Sequence, residues 1–198
     1  EIPLRLVGSE MCIRDSNYND EVLRAFGKTL EQKVVLFSST ETLDAGLYLQ
    51  ENEILWARNG KTEHIISVEE LNILGAHNYE NVMAAVCMAA VYGVPMETIR
   101  KAILAFKGVA HRIEYVAEKN GVVYYNDSKG TNPDAAIKAI QAMRRPTILL
   151  GGGYDKDSEY TEWINSFDGK VKKLILMGAT KEKIARDCEK CDFHDYVY

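Results

Sequence analysis

The feature that most constrains the fold is an alternation of strand-like and helix-like segments in the second half of the chain. After Gly108, the apolar runs TILLG and VKKLILMG alternate with segments of helical apolar spacing, such as PDAAIKAIQAM and SEYTEWINSF. Continuous apolar strands separated by helices are typical of a mostly parallel sheet that is covered on both faces. The pattern predicts a Rossmann-like, doubly wound α/β domain in which TILLG is a buried strand.

The first half carries a different pattern. Residues 46–66 form short alternating segments separated by turn signals, among them Asn59-Gly60. A second dipeptide of this kind, Asn120-Gly121, lies between IEYVAE and VVYYN. Both residue types tolerate positive φ, which tight hairpin turns require. We therefore expect an antiparallel β-meander over residues 46–66 and a hairpin around Asn120-Gly121.

Two helices are expected between these hairpins. Asn78 stands where an N-cap belongs, ahead of an apolar face that runs from Val82 to Ala90. The second helix is expected between Pro95 and Gly108, with Phe106 on its apolar face. The change of pattern places a domain boundary near residues 108–111.

Composition excludes several classes of protein. The 198 residues are 46% hydrophobic and 27% charged with a net charge of −5, so a nucleic-acid or anionic-membrane surface is not expected. No apolar run reaches the roughly 20 residues of a membrane helix, and no secretory signal is present. The four cysteines do not form a disulfide pattern, and Cys188-x-x-Cys191 lacks a second pair for zinc. We expect a cytoplasmic protein.

Residues 1–16, EIPLRLVGSEMCIRDS, do not match the rest of the chain. They show neither period 2 nor period 3.6, and no cap or turn joins them to Asn17. LVGSEMCIRDS also resembles a spurious translation that recurs in short-read assemblies. We expect residues 1–16 to be non-native or disordered, the alternative being an ordinary irregular terminus.

Two polar loops follow predicted strands, where open parallel sheets bind ligands. They are residues 127–132, DSKGTN, and residues 151–156, GGGYDK. Each combines a carboxylate and a lysine with glycines that permit close approach of the backbone, and each leads into a helix N-terminus, which favours anions. These loops predict a site for phosphates and carboxylates.

A simpler interpretation of the first loop is a turn and a helix cap. Asn132 would cap the helix and Pro133 would take its first position. That interpretation leaves Asp127, Lys129 and Thr131 unexplained.

Two familiar nucleotide motifs are excluded. Gly151 and Gly153 begin a dinucleotide fingerprint, but Lys156 stands where its third glycine belongs, which disfavours a Rossmann dehydrogenase. The Gly-Lys-Thr triplets at residues 27–29 and 60–62 lack the earlier glycine of a phosphate loop.

Four motifs, in this order, resemble the Mur ligases. They are GAHNYENVMAA, FKGVAHRIE, YNDSKGTNP and LLGGGYDK, and the resemblance runs from about Asn17 to the C-terminus. NDSKGTN and His111-Arg112 resemble the D-glutamate-adding branch, whereas sister ligases tend to carry DDYAHxP in the middle motif.

The resemblance implies an activity. In that branch ATP, with Mg²⁺, phosphorylates the carboxylate of UDP-N-acetylmuramoyl-L-alanine, and the amine of D-glutamate attacks the acyl phosphate. Such an enzyme is expected to be monomeric, with small-molecule substrates and neither nucleic-acid nor membrane partners. Residues 17–108 would be the end of the central α/β ATPase domain, with its meander, and residues 109–198 most of the C-terminal domain.

The resemblance also implies roles for seven residues. Two asparagines would contact adenine, an arginine the phosphates and an aspartate the ribose, while a lysine would lie at the reacting carboxyl and two residues would hold D-glutamate. In that order these are Asn78 and Asn81, Arg112, Asp127, Lys129, and Thr131 with Lys156. No metal ligand is expected within the chain. Because the chain has no phosphate loop, we expect it to be inactive alone.

Three alternatives stay open. Another Mur ligase or a folylpolyglutamate synthetase would use the same chemistry on other substrates. A nucleotide-binding or scaffolding domain without catalysis is a different class, which the lysines and aspartate of the loops argue against. A Rossmann oxidoreductase is the most distant.

Overall fold

A computed structural model of the chain describes residues 13–31 and 33–198. The chain divides into two compact units. Of the described residues, the first unit comprises those up to Asn72 together with Ala76–Lys107. The second unit comprises Ile73–Gly75 and Gly108–Tyr198. Most of the segment expected to be non-native, residues 1–12, lies outside the described residues, so that expectation stays a prediction. No helix in the described ranges is long and apolar enough to cross a membrane.

The first unit is built on a mixed sheet with strand order β1-β2-β3-β4-β5. The strands are β1 (Ile13–Asn17), β2 (Lys33–Ser38), β3 (Gly46–Gln50), β4 (Glu53–Arg58) and β5 (Lys61–Ser67). The first three strands run parallel, whereas β3, β4 and β5 pair antiparallel. The expected meander is confirmed, and it extends a parallel sheet.

Within the described residues, this sheet is accompanied by a 3₁₀ helix (Val68–Glu70) and three α-helices, namely α1 (Glu21–Gly27), α2 (Ala76–Val91) and α3 (Met96–Ala105). α2 buries a seam at i, i+3, i+4, i+7 and i+8, as its sequence predicts. The seam consists of Tyr79, Val82, Met83, Val86 and Cys87. α3 buries only Ile99, so it contributes less to the core.

Two details of the helix predictions are wrong. Asn78 is not an N-cap, because α2 begins two residues earlier, at Ala76, and Asn78 lies in its first turn. Gly75, with φ of 95°, makes the preceding turn. Phe106 lies beyond the last residue of α3 and is 49% exposed, so it does not extend an apolar face.

The second unit contains a parallel sheet of order β10-β9-β8 and a separate antiparallel hairpin, β6-β7. Its strands are β6 (Glu114–Lys119), β7 (Val122–Asn126), β8 (Thr147–Gly153), β9 (Val171–Gly178) and β10 (Tyr196–Val197). Its helices are α4 (Pro133–Ala142), α5 (Thr161–Asn165) and α6 (Lys181–Lys190). The α/β class and the parallel sheet are confirmed.

A single apolar cluster joins α4, α5 and α6 to this sheet. Its buried members are Ile140, Trp163, Ile164, Phe167, Val171, Leu174, Leu176, Ile184, Ala185 and Cys188. From β8 it takes Leu149, while Ile148 and Leu150 are 63% and 61% exposed. The expectation of a wholly buried TILLG strand is therefore wrong, because alternate strand residues point to opposite faces and this cluster covers one of them.

Candidate functional site

The loop after β7, residues 127–131, is held by its own backbone. The amide of Gly130 donates to the carbonyl of Asp127 at 2.8 Å, and the amide of Thr131 donates to the carbonyl of Lys129 at 2.9 Å. A Cβ at position 130 would lie 2.4 Å from Oδ2 of Asp127. Gly130 therefore makes room for the Asp127 carboxylate.

That carboxylate anchors a strained turn just before β6. His111 and Ile113 adopt φ of 66° and 44°, a conformation that costs about 1–3 kcal/mol for non-glycine residues and persists only where its surroundings impose it. Oδ1 of Asp127 accepts the Ile113 amide at 3.0 Å, and Oε2 of Glu114 accepts the His111 amide at 2.8 Å. Arg112, with its exposed side chain, lies between the two anchored residues.

A backbone hydrogen bond joins this turn to the loop. The amide of Lys129 donates to the carbonyl of His111 at 2.9 Å. Lys129 is thereby fixed beside the residue that precedes Arg112. Both cationic side chains are exposed, so they are accessible to an anionic ligand.

The helix after the loop begins as its sequence predicts. Oδ1 of Asn132 accepts the amide of Ala135 at 2.8 Å, and Pro133 is the first residue of α4. The capping interpretation is therefore correct for these residues. It does not account for Asp127, which sequence reasoning did not identify as an anchor because the strain at Ile113 has no sequence signal.

The three glycines expected in the second loop belong to β8 instead. Gly151, Gly152 and Gly153 pair with β9 opposite Leu176, Met177 and Gly178. A Cβ on Gly152, whose φ is 129°, would lie 1.9 Å from the Met177 carbonyl oxygen, and one on Gly151 would lie 2.8 Å from the Trp163 ring. These glycines let β8 approach β9 and the core closely, so the expected role in approaching a ligand is not needed to explain them.

The polar part of the second loop, residues 154–157, is held by side chains. Nζ of Lys156 donates to the carbonyl of Thr131 at 3.3 Å, which ties this loop to the first. Nζ of Lys183, from α6, lies 3.4 Å from Oδ1 of Asp155. Sequence reasoning missed Lys183, since nothing in its spacing marks it.

Five of the seven predicted residues thus lie on hydrogen-bonded segments of the second unit. They are Arg112, Asp127, Lys129, Thr131 and Lys156. Three of them are cationic and one is anionic, which favours a ligand rich in phosphate or carboxylate. The other two, Asn78 and Asn81, lie on α2 of the first unit, where Asn78 is partly buried and Asn81 is exposed.

The three cysteines that the structure describes are free and belong to no group that could hold a metal ion. Burial, and then the neighbouring charges of Cys191, Asp187 and Glu189, raise the pKa of the Cys188 thiol to about 11. Because the thiolate is the metal ligand and the nucleophile, such a group is poorly suited to either role. Cys87 is buried in α2, where burial and the charge of Asp15 also raise its pKa to about 11, so it is the core residue that its position predicts.

Comparison with known proteins identifies the second unit. The family described as "Mur ligase, glutamate ligase domain" matches residues 111–197. This range contains the five predicted site residues of the second unit, from Arg112 to Lys156. A UDP-N-acetylmuramoylalanine–D-glutamate ligase of Lachnoclostridium phytofermentans is 53% identical over 181 residues, covering 91% of this chain and 40% of the relative. Residues 111–197 therefore carry the Mur ligase glutamate ligase domain. The chain spans about 40% of the length of the curated relatives that it matches.

Solved structures share the fold of this chain. MurF from Acinetobacter baumannii superposes with a TM-score of 0.63 at 14% identity, covering 94% of this chain and 42% of that one. A folylpolyglutamate synthase of Mycobacterium tuberculosis, complexed with ADP, gives a TM-score of 0.57 at 15% identity, covering 89% and 41%. At such identities the likeness concerns the fold alone.

Proposed function

We propose that this chain is part of an ATP-dependent, ADP-forming amide ligase that adds D-glutamate to UDP-N-acetylmuramoyl-L-alanine for peptidoglycan synthesis. The observation that carries the proposal is the loop of residues 127–131, in which the Lys129 amide is bonded to His111, the residue before Arg112. Both segments lie inside the matched domain. The 53% identity to a D-glutamate ligase supports the choice of amino acid.

The proposed chemistry has two steps. A carboxylate oxygen of the muramoyl nucleotide attacks the γ-phosphorus of ATP, which forms an acyl phosphate and releases ADP. The amine of D-glutamate then attacks the acyl carbon, an amide bond forms and phosphate leaves. Both steps require anionic groups to be held close together, so positioning and charge neutralisation supply most of the catalysis.

The cations of the second unit suit that requirement. Arg112 would neutralise charge on the phosphates of ATP, and Lys129 would do so at the reacting carboxyl. Their backbones are anchored by hydrogen bonds, so little backbone entropy would be lost when substrates bind. Asp127 has a carboxylate able to accept ribose hydroxyls, and Asn78 and Asn81 carry amides able to pair with adenine.

D-Glutamate would be held where the two loops meet. Lys156 already reaches the backbone of Thr131, and both side chains are exposed. An ammonium and a hydroxyl together suit a substrate carboxylate.

Mg²⁺ is expected to accompany ATP, whose phosphate oxygens would supply part of its coordination. Residues 13–31 and 33–198 contain no group of three or more histidine, cysteine, aspartate or glutamate residues placed to hold a metal ion.

The proposal is tested in a ligase of the relatives' full length that contains this chain. Lys129→Ala and Lys156→Ala should each lower ligation by at least roughly a hundredfold, because each removes charge stabilisation that the transition state needs. The melting temperature should stay within about 2 °C, since both side chains are exposed. Lys172→Ala, at an exposed lysine of β9, is the matched control.

Wild-type activity in either lysine variant would contradict the proposed roles. D-Glutamate should also be preferred over L-glutamate, L-alanine and L-lysine. A preference for another amino acid would favour a different Mur ligase or a folylpolyglutamate synthetase. The 198-residue chain alone, which contains no phosphate loop, should release no phosphate from ATP above background.

A further inference from the structure

A polar network in the first unit is not explained by the proposed roles. It lies at the carboxyl ends of the parallel strands β1 and β2, the edge at which α/β sheets bind ligands. Asn17 and Asn19 come from the end of β1, and residues 38–40 from the end of β2. The network connects both strand ends to α2.

Glu80 of α2 is the centre of this network. Its Oε2 accepts from Nδ2 of Asn17 at 2.9 Å. Its Oε1 accepts from Nδ2 of Asn19 at 2.7 Å and from Oγ of Ser39 at 2.5 Å. A partly buried carboxylate with three charge-assisted hydrogen bonds is strongly oriented.

The donors to Glu80 are themselves fixed. Oγ of Ser38, which is fully buried, donates to Oδ1 of Asn19 at 2.6 Å, and Oγ1 of Thr40 donates to the same oxygen at 2.9 Å. These bonds orient the Asn19 amide so that its nitrogen faces Glu80. The network therefore connects α2 rigidly to the ends of the neighbouring strands β1 and β2.

Helix geometry separates Glu80 from the two residues proposed to contact adenine. Asn78 and Asn81 are three positions apart, so their side chains lie on neighbouring faces of α2, about 60° apart. Glu80 points about 100° or more away from either one. It would therefore act on a nucleotide through the placement of the helix and not by contact.

We propose that Glu80 is a positioning residue for ATP binding. By fixing the first turns of α2 to β1 and β2, it places Asn78 and Asn81 at the adenine. The apolar seam of α2 fixes the distance of the helix from the sheet, and the Glu80 network fixes its position along the strands. This inference rests on the adenine contacts of the proposed function.

The test uses Glu80→Ala and Glu80→Gln in a ligase of the relatives' full length that contains this chain. ADP binding is measured by calorimetry, and KM is measured separately for ATP and D-glutamate. In Glu80→Ala, the Kd for ADP and the KM for ATP should rise about tenfold, which is about 1.4 kcal/mol and close to the net contribution of one hydrogen bond to a charged group. The KM for D-glutamate should change by less than roughly twofold, because its proposed ligands lie in the other unit.

Glu80→Gln distinguishes positioning from simple packing. Glutamine has nearly the same shape, but its NH₂ group would face the donors Asn17, Asn19 or Ser39. It should therefore weaken ADP binding about as much as alanine does. Glu97→Gln, at an exposed α3 residue that pairs with Lys101 at 2.7 Å, is the matched control and should bind ADP like the wild type.

A milder variant keeps the test decisive if the Glu80 variants fold poorly. Ser39→Ala removes one donor to Oε1 and should raise the Kd for ADP roughly two- to threefold. Wild-type ADP binding in folded Glu80→Gln or in Ser39→Ala would overturn the inference, as would an equal rise of every KM. If the wild type catalyses ligation and these variants bind ADP as the wild type does, this inference fails and the proposed function stands. A wild type that binds no ADP would overturn the proposed function as well.

Discussion

The loops after β7 and β8 carry the same kinds of side chain, yet they are held differently. In residues 127–131, two internal backbone bonds, one backbone bond to His111 and the Asp127 carboxylate fix the chain. In residues 154–157, the contacts to other segments come from exposed side chains, namely Lys156 to Thr131 and both Asp155 and Asp157 to Lys183. The glycines that precede this second loop serve the pairing of β8 with β9.

This difference indicates a division of labour. Backbone bonds and a carboxylate that offsets strain hold a lysine within narrow limits, as the reacting end of a substrate requires. Exposed ion pairs stabilise little and rearrange readily. The first loop is therefore the preorganised part of the proposed site, and the second is the part able to adjust to the amino acid.

The largest effect is expected from Gly152→Ala in the 198-residue chain. The new Cβ would meet the Met177 carbonyl oxygen at 1.9 Å, and neither backbone can move without breaking the β8–β9 pairing. The free energy of unfolding in urea should fall by about 3 kcal/mol or more. Gly153→Ala is the matched control, because its φ of 141° is similar and no atom lies within 4 Å of the added Cβ.

Equal losses in the two glycine variants would show that backbone strain alone is responsible. In that case the close approach of β8 to β9 would not explain the glycines, and a role in the loop would have to be reconsidered.

The next largest effect on the free energy of unfolding is expected from Asp127→Ala, and Asp155→Ala is its comparison. Asp127→Ala leaves the Ile113 amide without its acceptor and removes the group that offsets the positive φ, so unfolding should become about 2–3 kcal/mol easier. Asp155→Ala removes a partly exposed ion pair with Lys183 and an exposed bond to the amide of Asp157, whose φ is 62°, so it should cost about 1 kcal/mol or less. Urea unfolding of both variants checks the comparison, and similar losses would remove the distinction between the loops.

Local sequence signals predicted the elements whose geometry depends on few residues. Asn59-Gly60 and Asn120-Gly121 adopt positive φ at all four positions, and Asn132 caps α4, because turn and cap geometry is decided within a few residues. The apolar seam of α2 followed from its periodicity.

Features that depend on distant residues were not predictable in this way. The burial of β8 depends on which elements cover each face, so Ile148 and Leu150 appeared buried by composition and are exposed. Asn78 has the residue type of a cap, but Gly75 starts the helix earlier. The bond from Asp127 to Ile113 joins residues 14 positions apart, and no local rule indicates it.

Amide hydrogen exchange in the 198-residue chain tests most directly whether the loop carrying Lys129 is rigidly anchored. The amides of Ile113 and Lys129 are hydrogen-bonded to Asp127 and His111, so we expect them to exchange at least about 100-fold more slowly than unstructured amides. The amides of Tyr154 and Lys156 should exchange within roughly tenfold of the unstructured rate. Fast exchange at Ile113 and Lys129, or equal protection in both loops, would contradict the account.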